Sequence, residues 1–138
     1  MVLSREQNNF LSSDGFNSKV WGPPLWFIIH ILAANFPLRP RPAQSRAYFF
    51  FFRSLCELLP CKNCRQEFCT LVNDKHSKFY LTPSIFTQGE HEKLGAARTR
   101  VFRWTVQLHA SVNKRLNHQY TRDVALWKEF YASMRRAR

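Results

Sequence analysis

Apolar side chains recur three and four residues apart along most of this 138-residue chain, which is the spacing of amphipathic α-helices. Alternating runs of Val, Ile and Thr, which would indicate strands, are scarce. Pro23 and Pro24 suit the first turn of a helix that Pro37 stops, and Pro60 separates two further helices. The pattern predicts an all-α protein with five helices, at about residues 23–35, 42–59, 61–72, 98–117 and 121–135.

The polar segments divide the chain into an arm and one domain. Residues 1–17 have too little apolar content to pack alone and are predicted to form a flexible arm. Residues 18–138 are predicted to form a single domain, because a chain of this length with 45% hydrophobic residues supplies one core but not two. Within it, residues 73–97 are predicted to be a long loop with room for one short turn.

Membrane and export signals are not evident in the sequence. The longest apolar stretches, residues 25–36 and 47–52, fall short of the ~20 residues that a bilayer-spanning helix needs. The first eighteen residues lack the basic start and apolar stretch of a secretory signal. We therefore expect no membrane span and a reducing compartment.

The formal net charge of +12 admits several partners. Nucleic acid, an anionic membrane surface, an acidic protein or a cofactor with phosphate groups would all suit it. The basic residues are scattered over the predicted helices, and only Arg135, Arg136 and Arg138 form a cluster. A solvated basic surface is therefore preferred, and a basic helical nucleic-acid-binding module with structural cysteines is kept as the alternative function.

Four cysteines, Cys56, Cys61, Cys64 and Cys69, crowd into fourteen residues. In a protein that is not exported, such a cluster is more often catalytic or metal-binding than a structural framework. Cys61 and Cys64 form a C-x-x-C pair at the predicted start of a helix after Pro60. The N–H groups and dipole at that end favour the thiolate, which is the nucleophile in thiol–disulfide exchange.

Other interpretations of the cysteines remain open at this point. A zinc site needs well-separated ligands, and the nearest histidine after the cluster is His76. An iron–sulfur site needs a distant fourth cysteine, whereas only Cys69 remains. A thioredoxin-like site needs strands around the motif, and none is predicted. Cys56 and Cys69 themselves are interpreted as buried small hydrophobic residues, or as a partner pair, and no metal ligand is assigned.

Two helices carry polar groups at matched spacing. Trp26 and His30 lie one turn apart on the first helix, and His109 and Asn113 repeat this spacing on the fourth. Each histidine alone would be a satisfied core residue. Together, facing an apolar interior rich in tryptophan, they indicate a planar, hydrogen-bonding ligand held between helices.

Three ordered segments resemble one family, the Erv/ALR sulfhydryl oxidases. Residues 21–30 (WGPPLWFIIH), followed by Phe36 and Pro37, resemble the first helix of the family. Residues 59–64 (LPCKNC) resemble its redox motif, and residues 104–116 (WTVQLHASVNKRL) resemble its flavin-binding run on the fourth helix. The resemblance covers roughly residues 19–130, and this order and spacing are more specific than the C-x-x-C alone.

The resemblance implies a four-helix bundle with a short fifth helix that holds FAD in its core, usually as a homodimer. It implies that Cys61 meets incoming thiols and that Cys64 passes the electrons to the flavin, which reduces molecular oxygen to hydrogen peroxide. The enzyme would thereby make disulfides in substrate proteins. The cofactor-binding residues implied by the family motifs are Gly22, Trp26, His30, Cys64, His109, Val112, Asn113, Arg115 and Trp127.

The sequence also departs from the family. The asparagine that follows the fourth-helix histidine in the family is Ala110 here, and the 73–97 loop is longer than usual. A second C-x-x-C shuttle and the partner for the family's structural disulfide are both lacking. A short member of this kind most resembles those encoded by large cytoplasmic DNA viruses. That resemblance implies a thiol-containing substrate or a viral thiol carrier as donor, with the host cytoplasm and the virion as locations.

Overall fold

The computed structural model describes residues 15–116 and 124–136. Helices account for all regular structure in these ranges, which confirms the all-α prediction. The described residues form five α-helices, α1 (Ser18–Ala34), α2 (Pro42–Leu58), α3 (Lys62–Asn73), α4 (Ala96–Arg115) and α5 (Val124–Ala132), and a short 3₁₀ helix spans Pro83–Phe86. None of these helices combines the length and apolar character needed to cross a bilayer. Most of the predicted arm, residues 1–14, lies outside the described ranges.

The first helix begins five residues earlier than the prolines predicted. Asn17 caps it, because its side chain accepts a hydrogen bond from the backbone N–H of Lys19 at 3.0 Å. Pro23 and Pro24 therefore lie inside the helix, where each removes one backbone donor. The carbonyls of Lys19 and Val20 therefore lose their N–H donors four residues further on, but both residues are exposed to solvent.

A tight turn joins α2 to α3 as an antiparallel hairpin. Pro42 opens α2, and the backbone N–H of Arg41 donates to the side chain of Gln44 at 2.9 Å. After α2 ends at Leu58, Leu59 and Pro60 turn the chain, and Cys61 is the N-cap of α3. The hairpin therefore places the C-x-x-C motif at the free N-terminal end of α3.

The long loop between α3 and α4 is pinned to the bundle by side-chain hydrogen bonds. Arg100 pairs with Glu92 at 2.7 Å and also donates to the carbonyl of Thr87 at 2.6 Å. Gln88 accepts from the backbone N–H of Ala97 at 2.9 Å. Gly95, in the left-handed conformation with φ 84°, then begins α4 two residues earlier than predicted. The short turn expected in this loop is the 3₁₀ helix.

The core divides into two connected halves. On one side α1 packs against α4, and α5 packs against both. On the other side α2 packs against α3 and the 3₁₀ helix. Trp104 of α4 joins the halves, because its ring meets Phe52 edge-on at a centroid distance of 4.9 Å and also contacts Phe86. The space that remains lies between α1, α4, α5 and the start of α3.

Candidate active site

The two sulfurs of the C-x-x-C motif form a disulfide at the start of α3. The Cys61 sulfur also accepts a hydrogen bond from the backbone N–H of Cys64 at 3.2 Å. Arg65 donates to the carbonyl of Leu59 at 2.7 Å and so braces the turn that precedes the motif. When the disulfide is reduced, this N–H and the positive end of the helix dipole stabilise a thiolate at Cys61.

The N-terminal approach to α1 packs directly on this turn. The backbone N–H of Phe16 donates to the carbonyl of Pro60 at 2.7 Å, and Trp21 donates to the carbonyl of Phe16 at 2.8 Å. Gly15, with φ 52°, lies so close that a side chain there would come within 2.0 Å of the Pro60 carbonyl oxygen. The segment that leads into α1 is therefore built against the redox motif.

Two histidines meet in the interior, one from α1 and one from α4. Nε2 of His30 lies 2.9 Å from Nδ1 of His109, and Nδ1 of His30 lies 3.2 Å from the hydroxyl oxygen of Thr105. His30 is almost completely buried. The first and fourth helices therefore bring these two polar side chains into direct contact.

The hydrogen bonds around Thr105 determine which ring nitrogens carry protons. The Thr105 hydroxyl donates to the carbonyl of Phe102 at 2.8 Å, so its oxygen accepts from Nδ1–H of His30. Nε2 of His30 then accepts from Nδ1–H of His109. Nε2 of His109 is consequently the acceptor nitrogen of that ring. A chain of three hydrogen bonds thus gives the pair one defined polarity.

Both imidazoles are neutral at neutral pH. Burial lowers the pKa of His30 to about 4. Burial also lowers the pKa of His109 to about 3, with the charge of His30 contributing in the same direction. The pair therefore offers neutral hydrogen-bonding groups to a ligand and carries no fixed charge.

Flat aromatic rings surround the histidine pair. Trp26 stacks on His109 at 4.1 Å with an interplanar angle of 6°, and Trp127 stacks on His30 at 6.0 Å with an angle of 21°. Tyr131 lies 5.5 Å from His30 and packs against Trp127 at 5.9 Å. Such parallel surfaces are suited to contact with a planar, conjugated ligand.

These groups line one cavity of about 550 Å³, a volume typical of small-molecule and cofactor sites. Every residue predicted from the sequence to bind a cofactor is among its lining residues: Gly22, Trp26, His30, Cys64, His109, Val112, Asn113, Arg115 and Trp127. Cys64 lines the cavity and Cys61 is not among the lining residues. Since the two sulfurs are bonded, an electron acceptor in the cavity would face Cys64, which is joined by the disulfide to Cys61 outside the cavity.

Basic, acidic and amide side chains contribute to the polar part of the lining. Lys19 of α1 and Arg115 of α4 both belong to it, and Arg115 pairs with Glu67 of α3 at 2.5 Å. Asn113 is buried and adds an amide. The cavity thus combines aromatic walls, neutral hydrogen-bonding groups, two cations and the Glu67 carboxylate that pairs with one of them. The aromatic walls suit a planar ring, and the cations suit anionic groups.

Sequence reasoning missed Thr105, Tyr131 and Lys19. Thr105 precedes His109 by one helical turn, and Tyr131 follows Trp127 by one turn, so helical spacing from a predicted site residue was the available signal. Trp104 begins the 104–116 run that resembles the flavin-binding segment of the family, but its ring packs into the other half of the core against Phe52.

Within residues 15–116 and 124–136, no group of three or more His, Cys, Asp or Glu side chains is arranged to hold a metal ion. Cys61 and Cys64 are joined to each other, and Cys56 and Cys69 lie on adjacent helices as thiols.

Several known proteins are similar to this chain. A probable FAD-linked sulfhydryl oxidase of Acanthamoeba polyphaga mimivirus is 28% identical over 93 residues, which cover 67% of this chain and 56% of that protein. A putative FAD-linked sulfhydryl oxidase of Frog virus 3 (isolate Goorha) is 28% identical over 120 residues, covering 83% and 69%. A FAD-linked sulfhydryl oxidase of African swine fever virus (isolate Pig/Kenya/KEN-50/1950) is 28% identical over 110 residues, covering 80% and 76%.

Solved structures and family profiles agree on the fold. The crystal structure of the yeast Erv1 core superposes with a TM-score of 0.64 at 19% identity, covering 91% of this chain and 92% of that one. A mutant of Erv1 from Saccharomyces cerevisiae gives the same TM-score at 18% identity, covering 98% and 100%. At these identities the likeness establishes the fold alone. The Erv1 / Alr family profile matches residues 23–132, and this chain therefore belongs to the Erv1 / Alr family.

Proposed function

We propose that this protein is a FAD-dependent sulfhydryl oxidase that forms disulfide bonds in substrate proteins. The observation that carries the proposal is the placement of the C-x-x-C motif, in which Cys64 lines the aromatic cavity and Cys61 does not. Membership of the Erv1 / Alr family supports it, as do relatives named FAD-linked sulfhydryl oxidases.

The residues present fit FAD. Trp26 and Trp127 supply flat surfaces for its two ring systems, and the neutral histidine pair supplies hydrogen-bonding groups without charge. Lys19 and Arg115 suit the two phosphates. The other proposed cofactor residues, Gly22, Val112 and Asn113, line the same cavity.

Thiol–disulfide exchange begins at Cys61. A substrate thiolate attacks the Cys61 sulfur, forms a mixed disulfide and releases Cys64 as a thiolate. A second substrate thiolate then attacks the substrate sulfur of this mixed disulfide and releases Cys61 as a thiolate. The substrate now carries a disulfide, and the C-x-x-C motif is a dithiol. Cys64 would give up the electron pair at the cavity as the Cys61–Cys64 disulfide re-forms, and a bound FAD would supply the chemistry that carries this pair to molecular oxygen and yields hydrogen peroxide.

The alternative function was a basic nucleic-acid-binding module. Neither the family match nor the relatives support it. It would also leave the buried His30–His109 pair and the aromatic cavity without a role.

A homodimer is part of the proposal. On α1, Val20, Pro24 and Ile28 form an exposed stripe that is not part of the cavity lining. On α2, Phe50 and Leu58 are 57% and 69% exposed and lie on one face, two turns apart. Exposed apolar faces of this kind mark protein interfaces, and a second copy of the chain is the proposed occupant.

The relatives support a proposal for where the protein works. Those described above from mimivirus, Frog virus 3 and African swine fever virus are viral proteins. We therefore place the protein in the host cytoplasm and in the virion, with a viral thiol carrier or another thiol-containing protein as electron donor.

The first prediction concerns the motif. In a Cys64→Ser variant, FAD should stay bound but should not be reduced by dithiothreitol under anaerobic conditions, because the sulfur next to the cavity is lost. Stopped-flow absorbance of the flavin measures this, with Cys69→Ser as a control that changes a cysteine outside the motif. A normal rate of flavin reduction in Cys64→Ser would contradict the assignment of the sulfurs.

The second prediction concerns Thr105. Thr105→Val keeps the side-chain shape but removes the acceptor for His30, so FAD affinity should fall roughly three- to tenfold, as expected for one neutral hydrogen bond. Equilibrium dialysis of the apoprotein with FAD measures the change. Thr70→Val is the matched control, because its hydroxyl also bonds a backbone carbonyl but is exposed on α3. Equal affinities for the two variants would show that Thr105 does not position the pair.

The third prediction concerns assembly. Wild-type protein should sediment as a dimer, and Leu58→Glu or Ile28→Glu should shift it to monomer because a charge enters the proposed interface. Leu94→Glu, at a comparably exposed leucine in the long loop, should leave the dimer intact. A wild-type monomer at micromolar concentration would refute the proposed interface.

The fourth prediction concerns location. Fractionation of cells that produce the protein should recover it in the cytosol and in purified virions. Recovery only from compartments of the secretory pathway would rule out the proposed placement.

A further inference from the structure

A second pair of cysteines lies across the α2–α3 hairpin, outside the C-x-x-C motif. Cys56 is on α2 and Cys69 is on α3, and both are thiols. The Cys69 sulfur lies 3.6 Å from the backbone carbonyl oxygen of Cys56, and its S–H donates to that oxygen. The two residues are thirteen positions apart in sequence, and the packing of α2 on α3 brings them together.

The two thiols influence each other directly. Burial raises the pKa of Cys56 to about 12, and a side-chain hydrogen bond with Cys69 and the charge of Cys69 contribute to this rise. The charge of Arg53 lowers the pKa of Cys56, and the charge of Glu57 raises it. Cys56 is only 9% exposed, whereas Cys69 is partly accessible. One thiol of the pair therefore meets solvent and the other is held behind it.

We propose that Cys56 and Cys69 are a second redox site, which closes a disulfide between α2 and α3 on oxidation. The site is separate from the oxidase chemistry, because neither residue lines the cofactor cavity. Its bond would tie together the two helices whose connecting turn presents Cys61.

The oxidant we propose is a diffusible disulfide of the glutathione class. The Cys69 thiolate attacks one sulfur of that disulfide, which gives a mixed disulfide and releases one small thiol. Cys56 then loses its proton and attacks the Cys69 sulfur, which closes the Cys56–Cys69 bond and releases the second small thiol. Two electrons and two protons pass from the cysteine pair to the small disulfide.

Closing this bond should stabilise the hairpin. The cross-link restricts the unfolded chain, so the oxidised protein should unfold at a temperature several degrees higher than the reduced protein. Because Cys56 is buried, the oxidant should reach Cys69 first and not Cys56.

The sequence allows a Cys56–Cys69 disulfide to be detected separately from the Cys61–Cys64 disulfide. Glu57 lies between Cys56 and Cys61, and Glu67 lies between Cys64 and Cys69. Digestion with trypsin and a glutamate-specific protease therefore isolates each cysteine on its own peptide, with Cys56 on residues 54–57 and Cys69 on residues 68–75. The full-length protein is incubated with oxidised glutathione, alkylated and digested without reductant, and the peptides are identified by mass spectrometry.

We expect a covalent pair of peptides 54–57 and 68–75 that dithiothreitol separates and that neither Cys56→Ser nor Cys69→Ser yields. Three results would overturn the proposal: both peptides fully alkylated, Cys69 held as a stable mixed disulfide with glutathione, or Cys56 joined to Cys61. The readout does not depend on flavin or turnover, so it can fail while the oxidase assignment stands.

The melting temperature distinguishes a closed Cys56–Cys69 disulfide from two thiols that are only close together. In a Cys61→Ser/Cys64→Ser background, oxidation should raise the melting temperature by several degrees. Adding Cys69→Ser to that background should abolish the rise. If the oxidised and reduced forms of the Cys61→Ser/Cys64→Ser variant melt at the same temperature, the proposed disulfide between α2 and α3 is contradicted.

Discussion

The hydrogen bond between His30 and His109 is the contact on which the site depends. It joins α1 to α4 at 2.9 Å in the interior, where two unpaired imidazoles would each be costly to bury. Thr105 orders the pair by accepting from His30, and burial keeps both rings uncharged. Because the rings are neutral and fixed in orientation, Trp26 and Trp127 can stack against them and form flat cavity walls.

The second requirement is that a reactive sulfur reaches this cavity from a different part of the fold. The turn at Leu59 and Pro60 ends α2 and starts α3 at Cys61, so the C-x-x-C lies at a helix N-terminus. One sulfur of the disulfide then lies at the cavity and the other outside it. In the proposed function, this arrangement would separate the sulfur that meets substrate thiols from the sulfur that faces the flavin, so the protein would supply position and the cofactor would supply the redox chemistry.

Within the described residues, the order of the helices and the position of the C-x-x-C pair at a helix start were predictable because they follow from local sequence pattern. Proline positions located the α2–α3 turn to within a residue, and i, i+4 spacing grouped Trp26 with His30. Contacts between distant segments were not predictable in this way. Thr105 is indistinguishable in sequence from any helical threonine, and its role appears only when α1 brings His30 beside it. The early start of α1 depends on the Asn17 cap, which outweighed the prolines as a boundary signal.

The visible absorption spectrum of the purified protein shows whether the cavity holds a flavin that the cysteines can reduce. We expect a two-band flavin spectrum that bleaches when dithiothreitol is added anaerobically and returns when air is admitted, with hydrogen peroxide formed in equal amount to the dithiol oxidised. A folded, colourless protein that does not take up added FAD would contradict the proposed oxidase function.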